Sequence, residues 1–220
     1  MNESQELIKR VYVGVDASYN STGLCIQSNY KPEIHFIQLV NGSCPHSPSV
    51  VFTQYGRVLS NTGDFSTDEK NRIKSSYNLW QKIKYYLQLY VPDADEYQFT
   101  LEGNVMSSFG KSKFNRLTDM VLLNTMIKYF IMCFPKSKLE IFTPNQIKKL
   151  FTGNGKGNKE LVQQTFMNMF GDKFIYEGKW DDISDAYALS WIAQHLELPA
   201  EKQPWNIREA EKRASKKKKK

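Results

Sequence analysis

An apolar, Val-rich strand that ends in an acidic residue constrains the fold of this chain more than any other feature. VYVGVD at 11–16 has the continuous apolar character of a buried strand, and Asp16 closes it. LCIQ at 24–27 and IHFIQL at 34–39 follow a polar turn and predict two further strands of an antiparallel meander. The chain is therefore expected to build a sheet around a first strand that carries a carboxylate at its end.

Helices and strands alternate after this meander. The periodicity predicts a long helix that begins with the capping pair Ser66 and Glu69 and ends before Pro92. Further strands are predicted at 97–102 and 139–142, and further helices at 117–133, 144–150, 159–170 and about 182–196. The helix at 117–133 is strongly apolar and is predicted to be mostly buried. This order predicts an α/β fold with a mixed central sheet, three antiparallel strands and then parallel strands, flanked by helices.

The composition divides the chain into one body and a tail. Residues 1–198 are expected to form one domain, in which 40–65 is a long segment rich in Gly, Ser, Pro and Asn with no firm element assignment. Residues 199–220 are basic and of low complexity, and we predict that they are disordered. Their terminal lysines favour a DNA-binding arm, with a localisation signal or a solubilising tail as alternatives.

Several classes of protein are excluded by absent features. The chain has no run of about 18 apolar residues, which argues against a membrane span, and its start lacks the apolar core of a secretion signal. Its three cysteines lie far apart, so neither a disulfide framework nor a zinc site is expected. We therefore expect a protein that is not secreted and lies in the cytoplasm, at the nucleoid or in the host-cell cytoplasm if the source is viral.

Positive charge is concentrated in two segments of a chain whose formal net charge is +7. Residues 103–160 hold 10 Lys and Arg against 3 Asp and Glu, and residues 206–220 hold 8 against 2. A surface that binds a polyanion beside an acidic pocket would leave this pattern. A solvated surface with a solubilising tail would leave it too, so position alone does not decide between them.

Acidic residues also lie at the ends of two other predicted elements. Glu102 ends the strand at 97–102, and Asp182 and Asp185 stand three apart at the start of a helix, on one face of which Asp181 could also lie. Gathered carboxylates repel each other unless a hard cation such as Mg²⁺ neutralises them. For the helical acids alone, favourable interaction with the helix dipole is the simpler explanation. Together with Asp16 and Glu102 they favour a metal site.

Four separated segments, in this order along the chain, carry a family resemblance: VGVDASYNSTGL, FTLEGN, TPNQIKKLFTGNGKGNKELV and DDISDAYALSWIA. They resemble the first hairpin, the fourth strand, the strand–helix–loop–helix segment and the final D-x-x-D-A helix of RuvC-type Holliday junction resolvases, in the RNase H-like superfamily. Asp181 lies outside the motif. The segments span residues 11–196, and each is weak alone, whereas the four in order are specific.

This resemblance implies an endonuclease that resolves four-way or other branched DNA junctions, leaving 5′-phosphate and 3′-hydroxyl ends. Asp16, Glu102, Asp182 and Asp185 would bind two Mg²⁺ ions, for which Mn²⁺ would substitute. Lys148 and Lys159 fall where the family has lysines near the scissile phosphate. A two-fold homodimer would match the symmetry of the junction.

Departures from the family pattern concern three segments. The segment 40–65 is longer than the pattern predicts, as an insertion would be, and the basic tail is not part of it. The helix at 117–133 lacks the small residues associated with the family's dimer-facing helix. These differences favour a divergent member, such as a viral one, over a typical bacterial one.

Two loops are predicted to contact DNA. GNGKG at 153–157 lacks the first glycine and the final Ser or Thr of a Walker A loop, so no nucleotide cofactor is expected. The loop is predicted to bring its backbone close to a DNA phosphate, with a plain flexible connector as the alternative. In the loop after Glu102, Phe109 is the preferred aromatic wedge, although Phe114 and ordinary packing are alternatives. The predicted phosphate contacts are Lys111, Lys113, Arg116, Lys148, Lys149, Lys156 and Lys159.

Three other functions remain open at this point. Another RNase H-like nuclease, specific for RNA–DNA hybrids or flaps, would need the same acids. A junction-binding protein without catalysis would not need four of them. A non-specific basic DNA-packaging protein would leave all four unexplained.

Overall fold

A mixed sheet forms the centre of the structure, a computed structural model that describes residues 7–44, 47–58, 62–103, 114–176 and 181–217. Its strands are β1 (Arg10–Asp16), β2 (Ser21–Ser28), β3 (His35–Val40), β4 (Val51–Gln54), β5 (Glu96–Glu102) and β6 (Ser137–Phe142). The helices are α1 (Phe65–Tyr90), α2 (Phe114–Met132), α3 (Pro144–Thr152), α4 (Lys159–Phe170), α5 (Asp181–Leu196) and α6 (Pro204–Lys217).

The strands lie in the order β4-β3-β2-β1-β5-β6. β1, β2 and β3 form the predicted antiparallel meander, and β5 and β6 then add to β1 in parallel. Val15 pairs with Leu101 in the parallel register, so Asp16 and Glu102 follow at neighbouring strand ends. This mixed sheet flanked by helices is the RNase H-like arrangement predicted from the sequence, and the prediction is confirmed.

Two apolar cores cover the two faces of the sheet. α1 and α2 pack on one face through the buried side chains Leu79, Ile83, Leu87, Leu123, Ile127 and Ile131. α3, α4 and α5 cover the other face through Ile147, Phe151, Val162, Phe166, Ile183 and Leu189. Because α5 is buried along most of its length, its first turn is held firmly above the ends of β1 and β2.

Two glycines allow α5 to lie directly on the sheet. A Cβ atom at Gly14 would stand 1.9 Å from the carbonyl oxygen of Ala186, and one at Gly23 would stand 2.0 Å from that of Asp182. Real Cβ atoms do not come this close to backbone, so any other residue would push the helix away. Gly23 pairs with Asp16 across β1 and β2, so this contact sets how closely α5 approaches Asp16.

Three local differences from the sequence expectations have simple physical causes. α1 begins after Asp64 rather than at Ser66, because the Asp64 carboxylate accepts a hydrogen bond from the Thr67 N–H and caps the helix. β4 lies in the segment without an assignment and adds to β3 in parallel at the edge of the sheet. α2 is apolar but only partly buried, and it exposes Met120, Tyr129 and Met132.

The tail also differs from the expectation of disorder, because residues 204–217 form α6. Trp205 packs against Trp191 of α5 with ring centroids 6.2 Å apart, and Arg208 donates to carbonyls at the end of α3. These contacts order a segment whose composition alone favours disorder.

Two expected absences can be compared with the described residues. Cys25, Cys44 and Cys133 are free in the part of the chain that the structure describes. Within the same part of the chain, none of the helices combines the length and apolar character needed to cross a bilayer.

Candidate functional site

Four acidic side chains from three elements gather at one edge of the sheet. Asp16 ends β1, Glu102 ends the neighbouring β5, and Asp182 and Asp185 lie in the first turn and a half of α5 above them. All four are partly buried. The structure therefore brings together the four carboxylates that the sequence singles out.

Burial and mutual repulsion make these carboxylates costly to ionise. Burial raises the pKa of Asp16 well above its usual value, and the charges of Asp185, Asp182 and Glu102 raise it further. Burial also raises the pKa of Glu102 and Asp182, and it raises the pKa of Asp185 to about 6. Ionised carboxylates at this position therefore lower the free energy of unfolding of the protein, and pKa values shifted in this way are typical of a functional site.

One lysine offsets part of this repulsion. The Lys159 ammonium, at the first position of α4, lies 2.6 Å from Oδ2 of Asp181 and 3.6 Å from Oδ2 of Asp185. Although burial lowers the pKa of Lys159, the hydrogen bond to Asp181 and the attraction of Asp185 and Asp16 raise it overall. Asp181 therefore contacts the lysine, and it is the fifth carboxylate of this cluster.

A buried hydrogen-bond network positions Asp182. The sequence did not predict this network. Gln38 of β3 donates to Oδ2 of Asp182 at 3.1 Å and to the Ser21 hydroxyl at 2.6 Å, and it accepts from the Tyr176 hydroxyl at 2.7 Å. Gln38 is 5% exposed and pairs with Gly23 in the sheet. A glutamine inside the apolar run IHFIQL is a signal that could have revealed it.

A cleft beside the carboxylates has apolar walls and a charged rim. Its walls are Pro144, Ile147, Val162 and Leu189. Its rim consists of Glu102, Asp185, Lys148 and Lys159. Both lysines attract Glu102 and lower its pKa against the larger effect of burial. Thr143 and Pro144 position Lys148 by starting α3 with the predicted N-cap and N1 proline.

The remaining predicted DNA contacts lie in different places. Lys149 pairs with Glu209 of α6 at 2.9 Å, whereas Lys148 and Lys159 line the cleft. Lys156 is exposed on the loop between α3 and α4. Arg116 belongs to α2, and Phe109, Lys111 and Lys113 lie outside the described residues.

The chemistry of the four acids fits a hard divalent cation, because such ions prefer carboxylate oxygens and relieve their repulsion. Within the described ranges, no three His, Cys, Asp or Glu side chains converge closely enough to hold an ion as they stand. The Lys159 ammonium supplies positive charge at Asp181 and Asp185 in this arrangement. Rotation of these side chains would be needed to complete a metal site.

Sheet order and helix placement define a protein with an RNase H-like fold, and one curated relative narrows the comparison. Crossover junction endodeoxyribonuclease RuvC from Caldicellulosiruptor saccharolyticus is 24% identical over 156 residues, which cover 65% of this chain and 86% of the relative. No family model matches the chain. The predicted resemblance to RuvC-type resolvases is confirmed, at the identity of a divergent relative.

Three solved structures are also similar to this chain. Thermus thermophilus RuvC has a TM-score of 0.49 at 14% identity, over 84% of this chain and 93% of that one. The structure of the same protein in complex with a Holliday junction substrate has a TM-score of 0.49 at 13% identity, over 84% of this chain and 92% of that one. The yeast mitochondrial Holliday junction resolvase Ydc2 has a TM-score of 0.44 at 12% identity, over 89% of this chain and 78% of that one.

Proposed function

We propose that this chain is a structure-selective endodeoxyribonuclease that cuts four-way or other branched DNA junctions. The observation that carries the proposal is the gathering of Asp16, Glu102, Asp182 and Asp185 beside Lys159. Its similarity to a curated junction endonuclease supports DNA as the substrate. A protein that only bound DNA would gain nothing from buried, mutually repelling carboxylates, which cost folding free energy.

The four carboxylates would hold two Mg²⁺ or Mn²⁺ ions. Such ions, when bound, activate a water and neutralise the charge that develops on a phosphodiester during hydrolysis. The Gln38 side chain orients Asp182, and Asp185 lines the cleft beside the apolar side chains of its walls. Hydrolysis would leave 5′-phosphate and 3′-hydroxyl ends.

The lysines at the cleft bind and orient the phosphate. Lys159 would exchange its contact with Asp185 for one with the scissile phosphate, and Lys148 would contact the same group from α3. Lys156 would contact a neighbouring phosphate, and Phe109 would enter the junction from the loop after Glu102, with Lys111, Lys113 and Arg116 on flanking phosphates. Lys149 would join them only after leaving Glu209.

A homodimer would present two such sites to opposing strands of a junction. This assembly is proposed from the symmetry of the junction, because single exposed apolar side chains such as Met120, Tyr129 and Met132 on α2 are normal at a protein surface.

Cleavage selectivity separates this proposal from its closest rival, a nuclease for flaps or RNA–DNA hybrids. In a competition with equal concentrations of labelled four-way junction, 5′-flap, hybrid and linear duplex in Mg²⁺, we expect the junction to be cut at least about 10-fold faster than the others, a preference of roughly 1.4 kcal/mol or more. Faster cutting of the flap or hybrid would show that this DNA or hybrid is the substrate, and the carboxylate cluster would still be the active site. Equal cutting of all four would remove the structural selectivity.

A further inference from the structure

The C-terminal helix α6 is fixed to the end of α3 by its cationic side chains. The Arg208 guanidinium donates to the carbonyl oxygens of Leu150 and Phe151, and the Lys212 ammonium donates to that of Gly153 at 3.2 Å. The last carbonyls of a helix lack partners within the helix and carry partial negative charge. Two cations of α6 therefore satisfy this end of α3.

Further contacts give α6 a defined orientation. Trp205 packs on Trp191 of α5, and Glu209 pairs with Lys149 of α3. The predicted disordered arm is thus replaced by a helix docked at both its apolar and its polar side.

This docking places positive charge beside the loop that leads to the catalytic cleft. Lys212 contacts Gly153, and the loop continues through the exposed Lys156 to Lys159. The Arg213 side chain is 81% exposed and lies 3.6 Å from Glu209 on the same helix. Lys216 and Lys217 follow it in the last turn of α6. The 14 residues of α6 span about 21 Å, which corresponds to about six base pairs of duplex DNA.

We propose that α6 binds the phosphate backbone of a duplex arm of the branched DNA, on the flank of the cleft formed by α3 and α4. The inference rests on the proposed function and adds a binding surface outside the carboxylate site. A polyanion fits this surface because residues 211–217 of α6 include four Lys or Arg and one Glu, and residues 211–215 are exposed. A partner protein would be expected to need apolar contacts as well.

The test removes positive charge from the end of α6 and keeps Trp205, Arg208 and Lys212, which dock the helix. Arg213 lies 3.6 Å from Glu209, whose closer pair with Lys149 at 2.9 Å remains in the variant. In the full chain, Arg213→Gln, Lys216→Gln and Lys217→Gln are combined, and Kd for a four-way junction is measured by fluorescence anisotropy at several salt concentrations. We expect Kd to rise about 10- to 100-fold near 100 mM salt, and the slope of log K against log salt to shrink by about 2 to 3. The cleavage rate at saturating junction should stay within about two-fold of the parent.

A matched control removes three lysines from the opposite side of the sheet. Lys70, Lys74 and Lys84 of α1 are changed to Gln, and Kd should change much less because α1 covers the other face. A second variant, Glu211→Lys, adds charge at an exposed position of α6 and should tighten binding and steepen the salt slope.

Unchanged Kd and slope in the α6 triple variant would overturn the inference and leave the proposed nuclease intact. A weakening equal to that of the α1 control would overturn it as well. A parent that binds the junction without cutting it would sink the proposed nuclease instead, and the binding comparison would still decide the role of α6.

Discussion

Replacing Asp185 with asparagine is expected to stabilise the protein and to inactivate it. In EDTA near pH 7, the midpoint of thermal unfolding should rise by about 5–10 °C, as expected for a gain of about 2–3 kcal/mol in a chain of this size. The reason is burial, which raises the pKa of Asp185 from 3.8 to about 6 against the attraction of Lys159. A rise of this size corresponds to about 3 kcal/mol of destabilisation when the group is ionised. Cleavage of a junction in Mg²⁺ should fall about 1,000-fold or more.

The stabilisation should depend on pH in a defined direction. Between pH 3.8 and about 6 the folded state holds a proton on Asp185 that the unfolded state releases. Stability of the parent therefore falls as pH rises through this window, and the cost is fully present above it. The Asp185→Asn variant lacks this cost, so its advantage in thermal midpoint should shrink to about 2 °C or less near pH 4.

Differential scanning calorimetry of the two proteins from about pH 4 to 8 measures this directly. Asp172→Asn is the matched control, because Asp172 lies exposed in the turn after α4 and should show neither the gain in stability nor the loss of cleavage. A lower thermal midpoint for Asp185→Asn near pH 7 would mean that the Lys159 contact outweighs burial. That result would contradict the account of a site maintained at a cost in stability.

Replacing Gly23 with alanine should damage both the fold and the site. The added Cβ would stand 2.0 Å from the carbonyl oxygen of Asp182, so the start of α5 must move away from β2. Overpacking of this kind costs about 3 kcal/mol, which lowers the thermal midpoint by about 6–12 °C. The same movement separates Asp182 and Asp185 from Asp16, so cleavage at a temperature where the variant is folded should fall about 100-fold.

Gly103→Ala is the control for this substitution. The nearest atom to its Cβ would be the Cγ2 methyl of the exposed Ile141 at 3.1 Å, and the Phe142 carbonyl oxygen would lie at an ordinary contact distance of 3.5 Å. The Ile141 side chain can move where helix backbone cannot. We expect its thermal midpoint to stay within about 3 °C of the parent, which corresponds to about 1 kcal/mol. Parent-like stability and cleavage in Gly23→Ala would show that the close contact of α5 with the sheet does not position the carboxylates.

Sequence patterns predict those parts of the fold whose determinants are local. The sequence predicts the apolar strand that ends at Asp16 and the helix start at Thr143 and Pro144, because strand periodicity and capping act over a few residues. The gathering of Asp16 and Glu102 also follows from the sequence, because parallel neighbours carry their carboxyl ends to one edge.

The features that the sequence did not reveal depend on contacts across long separations. α6 is ordered by Arg208 reaching carbonyls more than fifty residues earlier, and Gln38 reaches Asp182 across 144 residues. Asp64 rather than Ser66 caps α1, because its carboxylate accepts a hydrogen bond from the Thr67 N–H. Asp and Ser are both favoured N-cap residues, so the sequence pattern does not decide between them. Asp181 contacts Lys159 only because α4 and α5 pack together.

The most direct test of the central claim is nicking of a labelled immobile four-way junction beside a matched linear duplex in Mg²⁺, by the parent and by Asp16→Asn. We expect paired, symmetric cuts in the junction alone, which disappear in EDTA and in the variant. Tight junction binding by the parent without cleavage in Mg²⁺ or Mn²⁺ would contradict this claim, and so would cleavage that survives the loss of the Asp16 carboxylate.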